Sequence, residues 1–94
     1  MSLPSRPTLT VYRRTACELC DEAELLLQAV LEERVVRGDL VPQVRRVTID
    51  GDPVLESRYG VSIPVFDLDG AELALVTSRR QVASFLDRAM PRVA

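Results

Sequence analysis

The two cysteines of this 94-residue chain, Cys17 and Cys20, lie where a strand-like run passes into a long amphipathic helix. A cysteine reacts as its thiolate, and the free N–H groups and dipole of a helix N-terminus favour negative charge, so Cys17 is placed to be a nucleophile. Cys20 follows on the same helical face, ~5–6 Å away between Cβ atoms, and we expect its sulfur to reach bonding distance and to be the more buried. The spacing predicts thiol-disulfide exchange, in which Cys17 attacks a disulfide and Cys20 resolves the mixed disulfide.

Residue types that are absent narrow the chemistry further. The chain has no histidine and no lysine. Their absence excludes Ser-His and Cys-His pairs, a Cys₂His₂ zinc site built from this chain alone, and a lysine Schiff base. Acid clusters at 50–52 and 67–69 lack the ligand spacing of a calcium loop and are typical of turns and caps. The chemistry must therefore come from cysteines, carboxylates or backbone groups.

The composition is typical of one small domain. With 47% apolar residues, 28% charged residues and a net charge of −2, it predicts neither a nucleic-acid partner nor a membrane partner. No apolar run approaches the ~20 residues of a membrane span. We expect a flexible N-terminal tail at 1–7, a domain at 8–90 and a C-terminal tail at 91–94. The expected protein is a cytoplasmic monomer, in a compartment where nearby cysteines are more often redox-active or metal-binding than structural.

The hydrophobic patterns predict an α/β domain with the order β-α-β-α-β-β-α. Strands are expected at 8–13, 44–50, 65–68 and 72–76, and helices at 17–37, 53–59 and 79–90. The long helix between the first two strands predicts a parallel pair, whereas Asp69-Gly70 predicts an antiparallel hairpin. Together these patterns predict a four-stranded mixed sheet flanked by helices.

Helix ends and faces are also marked in the sequence. Asp52 and Ser78 are expected as N-caps, and Gly38 and Gly60 as helix stops. The buried face of the first helix is expected to consist of Cys20, Ala23, Leu26, Leu27, Val30 and Leu31.

The element order, with Cys17-Glu18-Leu19-Cys20 after the first strand and Ile63-Pro64 before the third, resembles the thioredoxin-fold superfamily and its glutaredoxins in particular. The run IDGDPVLESRYGVSIPVF, at 49–66, is similar to the glutaredoxin-like domain family of bacteria, most of whose members have no assigned function. The resemblance covers about 8–90. It implies a thioredoxin-like fold and no bound cofactor or metal, with glutathione or a disulfide-containing protein as the exchange partner.

The resemblance implies roles for further residues. Arg14 stands where glutaredoxins usually have a lysine that supports the thiolate and the glycine carboxylate of glutathione. Ile63-Pro64 resembles the cis-proline element whose backbone pairs with an extended substrate, although the sequence alone favours a trans proline at a strand edge. Thr77 and Ser78 stand near the position of the Gly-Gly-Asp stretch that holds the γ-glutamyl carboxylate of glutathione.

The sequence departs from glutaredoxins at two points. Glu18 adjoins Cys17 and opposes thiolate formation by like charge, and the Gly-Gly pair before the last helix is missing. Two alternatives therefore stay open. One is a thioredoxin-fold module that binds a protein partner through the face of Cys17, Ile63 and Pro64 without catalysis. The other is a zinc or iron–sulfur site built from the cysteines of two chains in a dimer.

Overall fold

Four strands and three helices follow one another in a computed structural model of the chain, which describes residues 6–90. They are β1 (Thr8–Arg13), α1 (Glu18–Arg37), β2 (Gln43–Thr48), α2 (Pro53–Tyr59), β3 (Val65–Leu68), β4 (Ala71–Leu73) and α3 (Arg79–Ala89). The predicted order β-α-β-α-β-β-α is confirmed. The predicted tails at 1–7 and 91–94 lie outside the described residues except for Arg6 and Pro7. The Pro7 carbonyl accepts a hydrogen bond from the Gln43 N–H at 2.8 Å, at the start of β2.

The strands form one mixed sheet in the order β2-β1-β3-β4. β1 and β2 are parallel, and the pairs β1–β3 and β3–β4 are antiparallel, as the crossover helix and the Asp69-Gly70 hairpin predict. In this topology the C-terminal ends of β1 and β4 lie beside the N-terminal end of β3, with Tyr12 opposite Val65 and Phe66 opposite Leu73. Three loops therefore meet at one end of the sheet.

The fourth strand is shorter than the predicted 72–76 because the chain leaves the sheet after Leu73. Leu75 has a left-handed backbone with φ 52°. The N–H groups of Leu75 and Val76 donate to the carbonyls of Ser62 and Pro64 at 3.0 and 3.4 Å, so they bind the loop before β3. The second strand covers Gln43–Thr48 instead of the predicted 44–50, and a turn begins at Asp50.

The main hydrophobic core lies between one face of the sheet and the helices α1 and α3. Its buried side chains are Leu9, Val11, Phe66 and Leu68 from the sheet, Ala23, Leu27 and Val30 from α1, and Val76, Val82, Phe85, Leu86 and Met90 from α3 and its flanks. Leu26 and Leu31, predicted to be buried, are only partly so, because the buried stripe of α1 continues through Arg34.

A smaller cluster, Ile49, Tyr59 and Val65, lies on the opposite face of the sheet under α2. The Tyr12 and Tyr59 rings stack there at 4.2 Å between centroids. Burial and a hydrogen bond to Glu72 raise the pKa of the Tyr59 hydroxyl well above its ordinary value. The fold is therefore three layers, α1 with α3, the sheet, and α2.

The helix caps follow the predicted residues with one difference, at the start of α1. Asp52 and Ser78 are N-caps, and Gly38 ends α1 with φ 80°, the left-handed backbone that glycine adopts without steric cost. Gly60 ends α2 after Tyr59, as predicted, in a right-handed conformation. The predicted helix at 17–37 begins one residue later, since Cys17 is its N-cap.

β2 forms an exposed edge of the sheet. It pairs only with β1, and Arg45 and Arg46 on it are both exposed. Arginines on an edge strand disfavour pairing with a second strand, because like charges would face one another. In the part of the chain that the structure describes, no helix has the length and apolar character needed to cross a bilayer.

Candidate active site

Cys17 and Cys20 are joined by a disulfide bond across the first turn of α1, with 5.2 Å between their Cα atoms. Cys17 has an extended backbone, φ −144°, and is partly exposed, whereas Cys20 is fully buried against the core. The expectations that the two sulfurs reach bonding distance and that Cys20 is the more buried are both confirmed.

The Cys17 side chain is itself the N-cap of α1. Its Sγ accepts a hydrogen bond from the Cys20 N–H at 3.1 Å, and its carbonyl accepts from the Asp21 N–H at 3.0 Å. The sulfur thus takes the place of the hydroxyl or carboxyl oxygen of an ordinary N-cap, where a backbone donor and the positive end of the helix dipole are directed at it. This environment favours the sulfur when it carries negative charge.

The topology brings the other predicted site residues to the same end of the sheet. Arg14 follows β1, Ile63 and Pro64 precede β3, and Thr77 and Ser78 follow β4. The Ile63-Pro64 peptide bond is cis, Pro64 is buried, and Ile63 is half-buried.

Arg14 is bound to acids of the β2–α2 region. Its Nη1 donates to Glu56 at 2.9 Å and Asp50 at 3.3 Å, and its Nη2 donates to the Gly60 carbonyl at 3.4 Å. The hydrogen bond to Glu56, followed by that to Asp50, raises the pKa of Arg14 against the opposing effect of desolvation. In this disulfide form, the hydrogen bonds of the Arg14 guanidinium are to Asp50, Glu56 and Gly60.

Asp50 also holds the loop that leads to the cysteines. Its Oδ2 accepts a hydrogen bond from the Thr15 backbone N–H at 2.7 Å. Hydrogen bonds from Thr15, followed by the one from Arg14, lower the pKa of the Asp50 carboxyl below its ordinary value. The β2–α2 loop therefore anchors one side of the Cys17 loop.

Thr77 and Ser78 are engaged by a capping box at the start of α3. Ser78 Oγ accepts from the Gln81 N–H at 3.1 Å. The Gln81 side-chain oxygen accepts from the N–H groups of Thr77 and Ser78 at 2.8 and 2.9 Å, and from the Thr77 hydroxyl at 3.2 Å. The donors expected to hold a carboxylate are occupied by Gln81, a residue that sequence reasoning did not single out.

Arg13 is a second residue that sequence reasoning missed. It ends β1 with its side chain turned to the α1 side, where its guanidinium binds Asp21 at 2.8 Å and also binds Glu24. Burial alone would lower the pKa of Arg13, but hydrogen bonds and attraction from these two carboxylates outweigh it and raise the pKa. Period-two alternation with Leu9 and Val11 was the available signal, because it places position 13 on the inner face.

Apolar side chains are exposed on all three loops at this end of the molecule or beside them. Leu19, between the two cysteines, is 59% exposed, Val61 is 94% exposed and Leu75 is 55% exposed. Isolated exposed apolar residues are ordinary on protein surfaces, and these three lie on or beside loops at the same end of the sheet as the cysteines.

A cavity opens on the α1 side of the sheet, where Arg13, Asp21 and Glu24 also line it. It lies between α1 and the edge strand β2, has a volume of about 700 Å³, and has an apolar lining that includes Leu25, Leu31, Val35, Val41 and Val44. Neither cysteine lines it. Within residues 6–90 no group of three or more cysteine, aspartate or glutamate side chains is arranged to hold a metal ion.

The sheet order, the three helices and the Cys17–Cys20 pair define a protein of the thioredoxin-like fold. The chain belongs to the glutaredoxin-like domain family (DUF836), whose model matches residues 8–90.

Solved structures agree with this assignment. The chain is similar to the X-ray structure of Northeast Structural Genomics target protein XcR50 from X. campestris, with 34% identity over 85% of this chain and 96% of that chain and a TM-score of 0.69. The solution structure of the same target matches with 33% identity over 85% and 92% of the two chains and a TM-score of 0.64. A third match, titled as the structure of a malarial protein, shares 13% identity over 92% and 99% with a TM-score of 0.57, and supports the fold alone.

Proposed function

We propose that the protein is a dithiol–disulfide oxidoreductase in which Cys17 is the nucleophile and Cys20 the resolving thiol. The observation that carries this proposal is the position of Cys17 Sγ, which caps α1, accepts the Cys20 N–H and is bonded to the buried Cys20 sulfur. A partly exposed sulfur at a helix N-terminus favours the thiolate, and a buried partner one turn away is the second thiol that an exchange reaction needs.

The reaction transfers two electrons. The Cys17 thiolate attacks one sulfur of a substrate disulfide, the substrate S–S bond breaks, and the other substrate sulfur leaves as a thiolate that takes up a proton. The Cys20 thiol then loses its proton and attacks the Cys17 sulfur of the mixed disulfide. The Cys17–Cys20 bond forms, the second substrate sulfur leaves and is protonated, and a thiol reductant regenerates the dithiol by the reverse exchange.

The proposed substrate is a protein disulfide, with glutathione as the weaker partner. Arg14 is bound by Asp50 and Glu56. The N–H groups of Thr77 and Ser78, which would donate to a carboxylate of glutathione, already donate to Gln81. These groups are therefore not free to bind a small anionic thiol. An extended protein segment would instead contact the apolar surface of Leu19, Val61 and Leu75 and pair with the Ile63 backbone. The proposed location of this chemistry is the cytoplasm.

The direct test is a redox titration. Purified protein is equilibrated with glutathione buffers of defined potential, free thiols are trapped by alkylation, and the two-thiol and disulfide forms are separated by mass. We expect a reversible two-electron transition within about −270 to −120 mV, the range of related exchangers. Cys17→Ser and Cys20→Ser variants should each abolish it. A wild-type protein that stays fully reduced in oxidised glutathione would contradict the proposal and favour a non-catalytic binding module.

A further inference from the structure

The buried Arg13 side chain joins the two segments that meet at Cys17. Toward the loop before Cys17, its Nε donates to the Arg14 carbonyl at 3.0 Å and its Nη2 to the Thr15 carbonyl at 3.4 Å. Toward α1, its guanidinium binds the carboxylates of Asp21 and Glu24. The side chain is 11% exposed, so water competes little for these bonds. One planar group therefore ties the loop to the helix that follows it.

The position of the Cys17 sulfur depends on both segments. Cys17 is the junction between the loop and α1, and its Sγ meets the Cys20 N–H at 3.1 Å from an extended backbone, with φ −144° and ψ 103°, that joins the loop to the helix. A guanidinium offers donors in a fixed planar fork, so it can hold two carbonyls and two carboxylates in one arrangement. A lysine ammonium in the same place has three donors on a flexible stem and no fixed plane.

We propose that Arg13 is a positioning residue for the Cys17 thiolate. This inference rests on the proposed exchange function and deepens it by naming the group that holds the nucleophile on its backbone donor. Arg13 acts through geometry more than through charge, because the cluster is already balanced: the carboxylates of Asp21 and Glu24 face two cations, Arg13 and Arg46, and Arg46 of β2 also binds Glu24. Loss of the fork releases the loop and weakens the contact between Cys17 and the Cys20 N–H.

Arg34 provides a matched control. It is also a buried arginine, with a side chain 3% exposed, and it binds the Asp87 carboxylate at 3.0 Å and the Leu40 carbonyl at 2.9 Å. It lies fourteen residues beyond Cys20 on α1, roughly 20 Å along the helix axis. Its removal should lower stability as removal of Arg13 does, without reaching the cysteines.

The test uses the reduced full-length protein and its Arg13→Met, Arg13→Lys and Arg34→Met variants. The rate of Cys17 alkylation by iodoacetamide is measured across pH by mass spectrometry, beside thermal unfolding of the same samples. We expect the midpoint of the Cys17 labelling profile to move to higher pH by about one unit in both Arg13 variants. At a pH below the midpoint, a shift of one unit makes the labelling rate about tenfold lower. A tenfold change is the effect expected from weakening one charge-assisted hydrogen bond. Arg34→Met should lose stability and keep the wild-type profile.

The outcomes separate this inference from the function beneath it. A wild-type profile in Arg13→Met, or full rescue by Arg13→Lys, would overturn the positioning role while leaving exchange chemistry intact. An equal shift in Arg34→Met would show that lost stability alone moves the profile, and would also overturn it. If wild-type Cys17 reacts only as an ordinary free thiol, the exchange function and the role of Arg13 fail together. Arg13→Lys keeps a cation at the buried site, so it serves as the folded comparison if Arg13→Met does not fold.

Discussion

The Cys17 sulfur accepts the backbone N–H of Cys20 at 3.1 Å, so the residue that caps α1 is also the residue placed to attack a disulfide. A serine cap would satisfy the same helix donor, but cysteine adds a sulfur that can carry charge and change partners. The group that caps the helix is therefore the same group that the proposed chemistry would use. This dual role leads directly to the behaviour expected of the thiols.

Selective labelling should distinguish the two cysteines. In the reduced protein we expect iodoacetamide to modify Cys17 well below pH 8 and to leave Cys20 largely unmodified, because Cys17 is partly exposed at the helix N-terminus whereas Cys20 is fully buried. Peptide mass spectrometry after a short pulse measures both sites. Leu19→Ala, which keeps both thiols and their backbone, is the control. Equal labelling of the two cysteines, found only at alkaline pH, would contradict the assignment.

A resolving thiol can be tested by removing it. In Cys20→Ser, attack by Cys17 on a protein disulfide should stop at the mixed disulfide, which accumulates as a higher-mass species on non-reducing gels and disappears on reduction. Cys17→Ser should trap nothing, since the remaining buried Cys20 cannot reach a substrate. Equal trapping by the two variants would contradict the assignment of Cys17 as the attacking thiol.

Local signals in the sequence were sufficient for most of the fold. Asp69-Gly70 predicts the hairpin, Gly38 the end of α1 and Ser78 the cap of α3, because each preference is decided by a few neighbouring residues. The Cys-x-x-Cys spacing after a strand predicts the geometry of the disulfide for the same reason. The element order follows once these points are placed.

Contacts between distant segments could not be predicted in this way. The early end of β4 depends on a carbonyl of Ser62 that accepts from Leu75, and no pattern within 71–76 signals it. Arg34 reads as a surface residue near a helix C-terminus, yet it is buried because Asp87 of α3 neutralises it. Arg14 occupies the position at which glutaredoxins usually have a lysine, but it binds Asp50 and Glu56, which come near it only in the folded chain.

Gln81 should limit the use of glutathione. Gln81→Ala would free the N–H groups of Thr77 and Ser78, and we expect Cys17 to attack oxidised glutathione about three- to tenfold faster, forming the mixed disulfide and releasing one glutathione thiol, the effect of one or two recovered hydrogen bonds. The rate is measured in the Cys20→Ser background to prevent resolution. Loss of the capping box should lower stability by about 1 kcal/mol.

Gln28→Ala is the matched control for Gln81→Ala, since it removes an exposed glutamine whose amide bonds only Glu32 on α1. It should leave the glutathione rate unchanged. No acceleration in Gln81→Ala would mean that glutathione does not approach through the start of α3.

Asp50 should make stability depend on pH in the acid range. Its pKa in the folded protein is below the ordinary value of 3.8, so its contribution is complete above that value and is lost as the pH falls through the folded pKa. Asp50→Asn should therefore melt at a lower temperature than the wild type near neutral pH, and the difference should close as the pH falls below the ordinary value of 3.8. Glu22→Gln, an exposed change on α1, is the control. A difference in melting temperature that persists unchanged at low pH would show that the charge of Asp50 is not involved.

Leu75 combines an unfavourable backbone with an exposed apolar side chain. A left-handed conformation costs a non-glycine residue about 1 kcal/mol, so Leu75→Gly should raise or hold stability although it removes a large side chain that is 55% exposed.

If the surface of Leu19, Val61 and Leu75 receives a protein substrate, the same variant should lose turnover of a protein disulfide and keep its rate with a small disulfide. Leu40→Gly, at an equally exposed leucine outside the site, should leave both rates unchanged. Equal rates for wild type and Leu75→Gly with the protein disulfide would exclude Leu75 from substrate contact. A loss of rate confined to that substrate would mean that the Leu75 side chain contacts it.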